Sequence, residues 1–351
     1  MMRYTRKIRL DRIGSATTPA RLGAIVEVSP DCDASEGAVV VGRALSDKHV
    51  YGELELPNGR MAKVVQGNLV AGVLGARQAL HGYMGDIPAA VAVGDVLHLL
   101  NIGGVIGICD QPNKDLGPPI GVEILGQVIR NGKPLNIKDH ALAPCPELSL
   151  SGPPICLVLG TCMNSGKTYA AAEIIRVMSR NGVKVAAGKV SGVAALRDLL
   201  KMQDNGAIAT SSFLDCGLPS TVKTTELGPV ARAVVQQLER SNPDVILLEL
   251  GDGIIGGYNT QSILRDESIR QRTLARVLCA NDLVGAWGGT LMLDEMGHRP
   301  TVISGPVTDN AVGTTYIEGQ LHIASRNARL VPEALAVTIG NALGVPLEAG
   351  A

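Results

Sequence analysis

Gly166, Lys167 and Thr168 close a loop, Gly160-Thr161-Cys162-Met163-Asn164-Ser165-Gly166, that follows the apolar run 155–159. A glycine-flanked loop of this kind turns main-chain N–H groups toward an anion. A helix starting at its end points its positive terminus at the same place. A lysine at that end reaches the terminal phosphates of a nucleotide, and the neighbouring threonine hydroxyl holds Mg2+. A glycine turn that only joined a strand to a helix would need neither side chain. Residues Gly160 to Thr168 are therefore assigned to a phosphate chain, with Lys167 as a catalytic cation and Thr168 also a metal ligand.

The acids that such chemistry needs come later in the chain. The most apolar segment, 244–250, ends on Glu249 and runs into Gly251-Asp252-Gly253. A carboxylate at the end of a buried strand beside a phosphate loop orients Mg2+ or its water. Glu249 is the first candidate and Asp252 the second. Asp215, after the segment 207–213, is a further candidate metal or substrate group, although Gly217, Pro219 and Ser220 make an equally good structural turn there. Arg197 and Asp198 could meet a substrate, but they read more readily as helix-surface charges. Trp287, the only tryptophan, reads as a core residue on a strand.

These groups need elements to hold them. From residue 155 onward, strand-like and helix-like patterns alternate, which predicts an α/β domain with a doubly wound, mainly parallel sheet. Strands are predicted at 155–159, 183–190, 207–213, 244–250, 283–289 and 300–306, and helices at 168–182 and 229–242. Ligands in such sheets sit beyond the carboxyl ends of the strands, where the candidates above fall. Residues 1–142 have a different grammar and predict a smaller β-rich, α+β domain. Asn58-Gly59 and Asn131-Gly132 each sit between strand-like runs, the strongest short-range hairpin signal. Residues 96–110 read as two strands broken at Gly103-Gly104, and 69–83 as a helix. Tyr4, Ile8 and Leu10, at even spacing, read as the start of a strand. Four prolines within 141–154 mark 143–154 as a linker.

Composition narrows the function classes. The 351 residues are 46% hydrophobic and 19% charged with a formal net charge of −1, so the chain can build large cores and has no basic excess of the kind nucleic-acid binders usually carry. With one Trp, one Phe and six Tyr it has few platforms for stacking bases. Nucleic acid is not an expected partner. No apolar run approaches the roughly 20 residues of a membrane helix, so no membrane partner is expected either. The seven cysteines form no C-x-x-C pair, which fits reduced thiols and a cytoplasmic protein better than a disulfide frame or a zinc site.

The loop carries five residues between Gly160 and Gly166, with Thr161 in the place of the usual first glycine. This G-T-x4-G-K-T form resembles the P-loop of dethiobiotin synthetase and of the cobyrinate and cobyrate synthetases, within the class that includes MinD-type ATPases. Glu249-x-x-x-Gly253 is similar to the E-G-A-G-G strand end of dethiobiotin synthetase, whose glutamate binds magnesium. Lys189-Val190-Ser191-Gly192 is similar to that family's K-P-x-x-[ST]-G segment, whose lysine touches phosphate and substrate. Residues 155–345 also resemble little-characterised bacterial proteins in which an N-terminal domain precedes such a P-loop domain. Val190 stands where that family has proline and Asp252 where it has glycine; the additional lysine of MinD-type loops is missing.

The resemblance implies a P-loop NTPase domain over 155–351 and the use of ATP and Mg2+. It adds Lys189 to Lys167 and Glu249 as a third catalytic residue, and Asn310, or Asp309, as the reader of the purine. The activity it implies is ATP-dependent phosphoryl transfer in small-molecule metabolism, a ligase activating a carboxylate or else a kinase acting on a hydroxyl. The expected partner is a small-molecule acceptor, with a homodimer or higher homo-oligomer as the assembly common in that family. The alternative is a nucleotide switch or metallochaperone-like NTPase acting on a partner protein.

Overall fold

The computed structural model describes residues 5–347, which divide into two compact units. The first comprises Met1–Leu142 with Val193–Arg197 and Phe213–Lys223. The second comprises Ala143–Gly192, Asp198–Ser212 and Thr224–Ala351. Both short segments, Asp215 among them, fall within the range expected for the P-loop domain. Tyr4 and residues 348–351 lie outside the described residues.

In the first unit, strands Val39–Ala44, Leu69–Leu74, Val96–Leu99, Val105–Pro112 and Gly121–Arg130 pair in a closed ring. Only the pairing of Leu69–Leu74 with Val105–Pro112 is parallel. Closure leaves the ring without a free edge. Val40, Val70, Leu74, Leu97, Ile106, Val122 and Ile124 fill one buried cluster. The expected helix over 69–83 is absent: that stretch forms strand Leu69–Leu74, strand Arg77–Gln78 and the start of Tyr83–Asp86. Its β-branched residues suit a strand buried on both faces. At Gly72 a Cβ would come within 2.4 Å of the Gly104 carbonyl oxygen, so the neighbouring backbone requires glycine. Both Asn-Gly hairpins form, Glu53–Glu55 with Met61–Lys63 and Gly121–Arg130 with Lys133–Pro134. Asn131 and Gly132 both take positive φ, 53° and 74°, as a type I′ turn demands.

In the second unit, seven parallel strands form one sheet: Ile155–Gly160, Val185–Ser191, Ala209–Ser212, Val245–Leu250, Thr273–Cys279, Val302–Ser304 and Ala324–Ser325. Numbered along the chain they lie in the order 3-2-4-1-5-6-7. The loop strand is thus central, flanked by the strand of Glu249 and by Thr273–Cys279, which the sequence reading missed. Helix Lys167–Arg180 covers one face through Ala171, Ile174, Ile175 and Met178.

Two expectations fail in this unit. Residues 283–289, expected as a strand, begin helix Leu283–Glu295, whose N-cap Asp282 accepts from the Gly285 N–H at 2.7 Å. That helix is apolar nearly all round, so periodicity could not separate it from a buried strand. Trp287 accordingly lies on an outward face, 49% exposed, and is not core. Residues 143–154, expected as a linker, make hydrogen bonds within this unit. Arg232 donates to the Cys145 carbonyl at 2.8 Å, and Arg272 donates to those of Ser149 at 3.1 Å and Pro153 at 2.6 Å.

Candidate functional site

Strand register assembles the site. Val158 pairs with Glu249 on one side of strand Val245–Leu250, and Lys189 pairs with Glu249 on the other. The lysine strand, the acid strand and the loop strand therefore end side by side.

The loop turns back over this edge. Asn164 and Gly166 adopt positive φ, 60° and 95°. A Cβ at Gly160 would fall 2.3 Å from Ser165 Oγ and 2.8 Å from Lys167 Cδ, so only glycine lets the loop close on its lysine. Lys167 Nζ donates to the Cys162 carbonyl at 2.7 Å and to Ser165 Oγ at 3.4 Å. Among the described residues, no backbone amide of residues 162–168 donates to a backbone carbonyl. Helix Lys167–Arg180 has no side-chain cap at its first turn. Uncommitted amides at an uncapped helix start fit a phosphate chain.

Beside them, Thr168 Oγ1 donates to Glu249 Oε1 at 2.9 Å and reaches Asp198 Oδ1 at 3.4 Å. Lys189 Nζ forms an ion pair with Asp198 Oδ2. Glu249 is only 2% exposed and its second oxygen, Oε2, is buried with no partner. A hydroxyl and two carboxylates, one with an unsatisfied oxygen, are the hard-oxygen donor set that Mg2+ takes while keeping several waters. Burial, and then the charge of Asp198, raise the Glu249 pKa against the pull of Lys189 and Lys167. Burial lowers that of Lys167, with Glu249 opposing.

The structure brings Gly160–Thr168, Lys189 and Glu249 together. Asp252, left-handed at φ 65°, sits in the turn beyond Gly251, close enough to support the charge on Lys167. Asn310 caps the short helix Ala311–Tyr316, its side-chain oxygen accepting from the Val312 N–H at 3.0 Å. Its segment approaches the loop through Gly305, whose Cα lies 3.5 Å from where a Gly166 Cβ would be. Asp215 belongs to the first unit, where its carbonyl accepts from the Leu142 N–H at 2.8 Å, and is not among the groups the second unit assembles. Asp198 joins the site although in the sequence it reads more readily as a helix-surface charge. Its signal was modest: an acid in the first turn of helix Arg197–Asp204, soon after the lysine strand.

No family model matches the chain, and no curated protein matches it either. Among solved structures, the signal recognition particle receptor FtsY from Elizabethkingia anophelis is 13% identical, over 51% of this chain and 59% of that one, with a TM-score of 0.36. Chloroplast FtsY from Physcomitrella patens is 17% identical over 58% and 69%, at 0.39. The hydrogenase maturation factor HypB from Archaeoglobus fulgidus is 15% identical over 56% and 80%, at 0.30. The chain thus spans less than two thirds of the first of these. Scores this low add nothing to the strand order and loop geometry, and it is these that define the class. The second unit is a P-loop NTPase domain, with helices packed on a parallel sheet. Among the described residues no helix is long and apolar enough to cross a membrane.

Proposed function

We propose that the protein is an ATP- and Mg2+-dependent phosphoryl-transfer enzyme of small-molecule metabolism, a ligase that activates a carboxylate. The observation that carries this reading is the second cation, Lys189, paired in register with Glu249 and held by Asp198 beside Thr168. A domain that only bound nucleotide would need the loop, Lys167 and Thr168, but no further lysine at the strand end. Phosphoryl transfer is mainly positioning and charge neutralisation, and a lysine there can hold the transferred group or its acceptor. Thr168, Glu249 and Asp198 would hold Mg2+, which would supply neutralisation of phosphate charge. In the reaction, a carboxylate oxygen displaces ADP from the γ-phosphorus to give an acyl phosphate. A bound amine then attacks the acyl carbon and releases phosphate. The resemblance of the loop, of Glu249-x-x-x-Gly253 and of the Lys189 segment to dethiobiotin synthetase supports the ligase form.

One observation favours the alternative, a nucleotide switch acting on a partner protein. Asp198 directly follows Val193–Arg197 in the chain, and that segment belongs to the first unit. A nucleotide-dependent move of Asp198 would be felt there by covalent continuity.

Product analysis with candidate acids and amines separates the two. ADP formation that requires both an acid and an amine supports the ligase. ADP formed at the same slow rate without either defeats it and leaves the switch. Lys167→Ala should lower turnover by about 10²-fold or more while the far-UV spectrum and cooperative melting persist. Unchanged turnover would remove Lys167 from its assigned role.

A further inference from the structure

A cavity of about 680 Å³ opens in the second unit, lined in part by Ile254, Ile255 and Gly256 of the turn that follows Asp252. The same turn touches the phosphate loop: the Ile254 N–H donates to the Gly160 carbonyl at 2.9 Å, and a Cβ at Gly253 would fall 2.6 Å from the Thr161 carbonyl oxygen. One turn thus contacts both the loop and the cavity. The volume lies within the range of small-molecule sites.

The charged groups of the lining divide into committed and uncommitted ones. Arg232 and Asp266 form an ion pair, and Asp266 also accepts from the Ile269 N–H at 3.1 Å. Glu267 is held by Arg270 and Gln271. Two charges of opposite sign remain. Arg265 makes a single 3.3 Å hydrogen bond, to Gln261 Oε1. Glu226 makes no hydrogen bond or ion pair among the described residues. The same lining includes Ile255, a large apolar side chain that is 69% exposed.

We infer that this cavity is the pocket of the amine substrate in the proposed ligase reaction, and that it takes an amino-acid-like zwitterion. Arg265 pairs with the carboxylate, Glu226 with the ammonium, and Ile254 and Ile255 cover the apolar side chain. With its carboxylate on Arg265, such a molecule presents its other end for reaction: the ammonium passes a proton to Glu226, and the free amine attacks the acyl carbon. The inference rests on the ligase reading for its role, but the binding it describes does not.

The test uses the full chain with three compounds of nearly one skeleton, L-leucine, 4-methylpentanoate and 3-methylbutylamine, followed by saturation-transfer NMR and calorimetry with and without a Mg2+–ATP analogue. L-Leucine should bind more tightly than either single-ended compound. Arg265→Gln should weaken leucine and the acid about tenfold and spare the amine. Glu226→Gln should weaken leucine and the amine and spare the acid. Both side chains are exposed, so melting curves should match the parent, and Arg265→Lys should restore part of the affinity. Absence of saturable leucine binding, or leucine binding indifferent to both neutral variants, overturns the proposal. If the double-ended pattern holds but leucine never accelerates ADP release with any acid, the pocket stands and the ligase reading fails. If ADP release needs an acid and an amine yet ignores both substitutions, the ligase stands and the pocket falls.

Discussion

Glu249→Gln should make the nucleotide-free protein more stable and the nucleotide-bound protein relatively less so. Glu249 is a carboxylate at 2% exposure with one oxygen on Thr168 and the other, Oε2, without a partner. A buried polar atom left unsatisfied costs about 1–3 kcal/mol, and more when charged. The amide keeps the acceptor facing Thr168 and exchanges an unpaired buried charge for an unpaired neutral N–H group, which costs less. Attraction to Lys189 and Lys167 is lost as well, but burial and Asp198 outweigh it, because the Glu249 pKa is raised. A net gain of about 1 kcal/mol follows, or about 2–4 °C in the melting of a domain of this size. The sign with pH is fixed by the same shift. The folded state holds the Glu249 proton more tightly than the unfolded chain, so the native protein loses stability as pH rises from the ordinary carboxylate value through the raised one. Glutamine does not titrate. The advantage of the variant should thus be near zero at pH 4 and full at neutral pH. With Mg2+–ATP at a hundred times the dissociation constant the parent gains about 2.7 kcal/mol; the variant, short of one metal ligand, should gain less. Differential scanning fluorimetry across pH, with and without Mg2+–ATP, measures all of this. A variant that melts below the parent at pH 7 without nucleotide refutes the reasoning, as does an advantage that persists unchanged at pH 4.

Asp198→Asn should weaken the Mg2+ requirement's midpoint by about tenfold, the scale of a lost oxygen ligand's supporting interaction, and release Lys189 from its ion pair. A magnesium titration of nucleotide-dependent melting reads this, and an unmoved midpoint would exclude Asp198 from the metal site. The same variant should bring the Glu249 pKa down, since Asp198 is one of the causes raising it, and so lessen the loss of stability as pH rises from the ordinary carboxylate value. Gly160→Ala should cost about 1–3 kcal/mol through overpacking and displace Lys167, whose stem lies 2.8 Å from the new methyl position. Nucleotide affinity should fall with it; an alanine variant that binds as the parent does would show that the loop does not need this close approach.

Gly160-Thr161 through Thr168 could be read without coordinates because a phosphate loop is local. Its strand, glycines, lysine and threonine are contiguous, and their chemistry depends on the backbone of a dozen or so residues. The Asn131-Gly132 turn is legible for the same reason, since only residues tolerant of positive φ close a two-residue hairpin. Apolar segments were harder. Residues 69–74 and 283–289 carry no polar alternation, so whether they form strand or helix depends on what surrounds them: a closed ring of strands in one case, an Asp282 cap and a sheet face in the other. Asp198 was the instructive case at the site. In the chain it is an acid on a short helix, indistinguishable from a solvated charge. Parallel pairing sets the Lys189 and Glu249 strands side by side in register, and folding then brings Asp198 between Lys189 and Thr168. Sequence alone marked the residues of the candidate phosphate loop, because neighbours in the chain suffice for that; tertiary structure decided which acids and cations lie beside them, because those arrive from strands and helices whose proximity only the sheet creates.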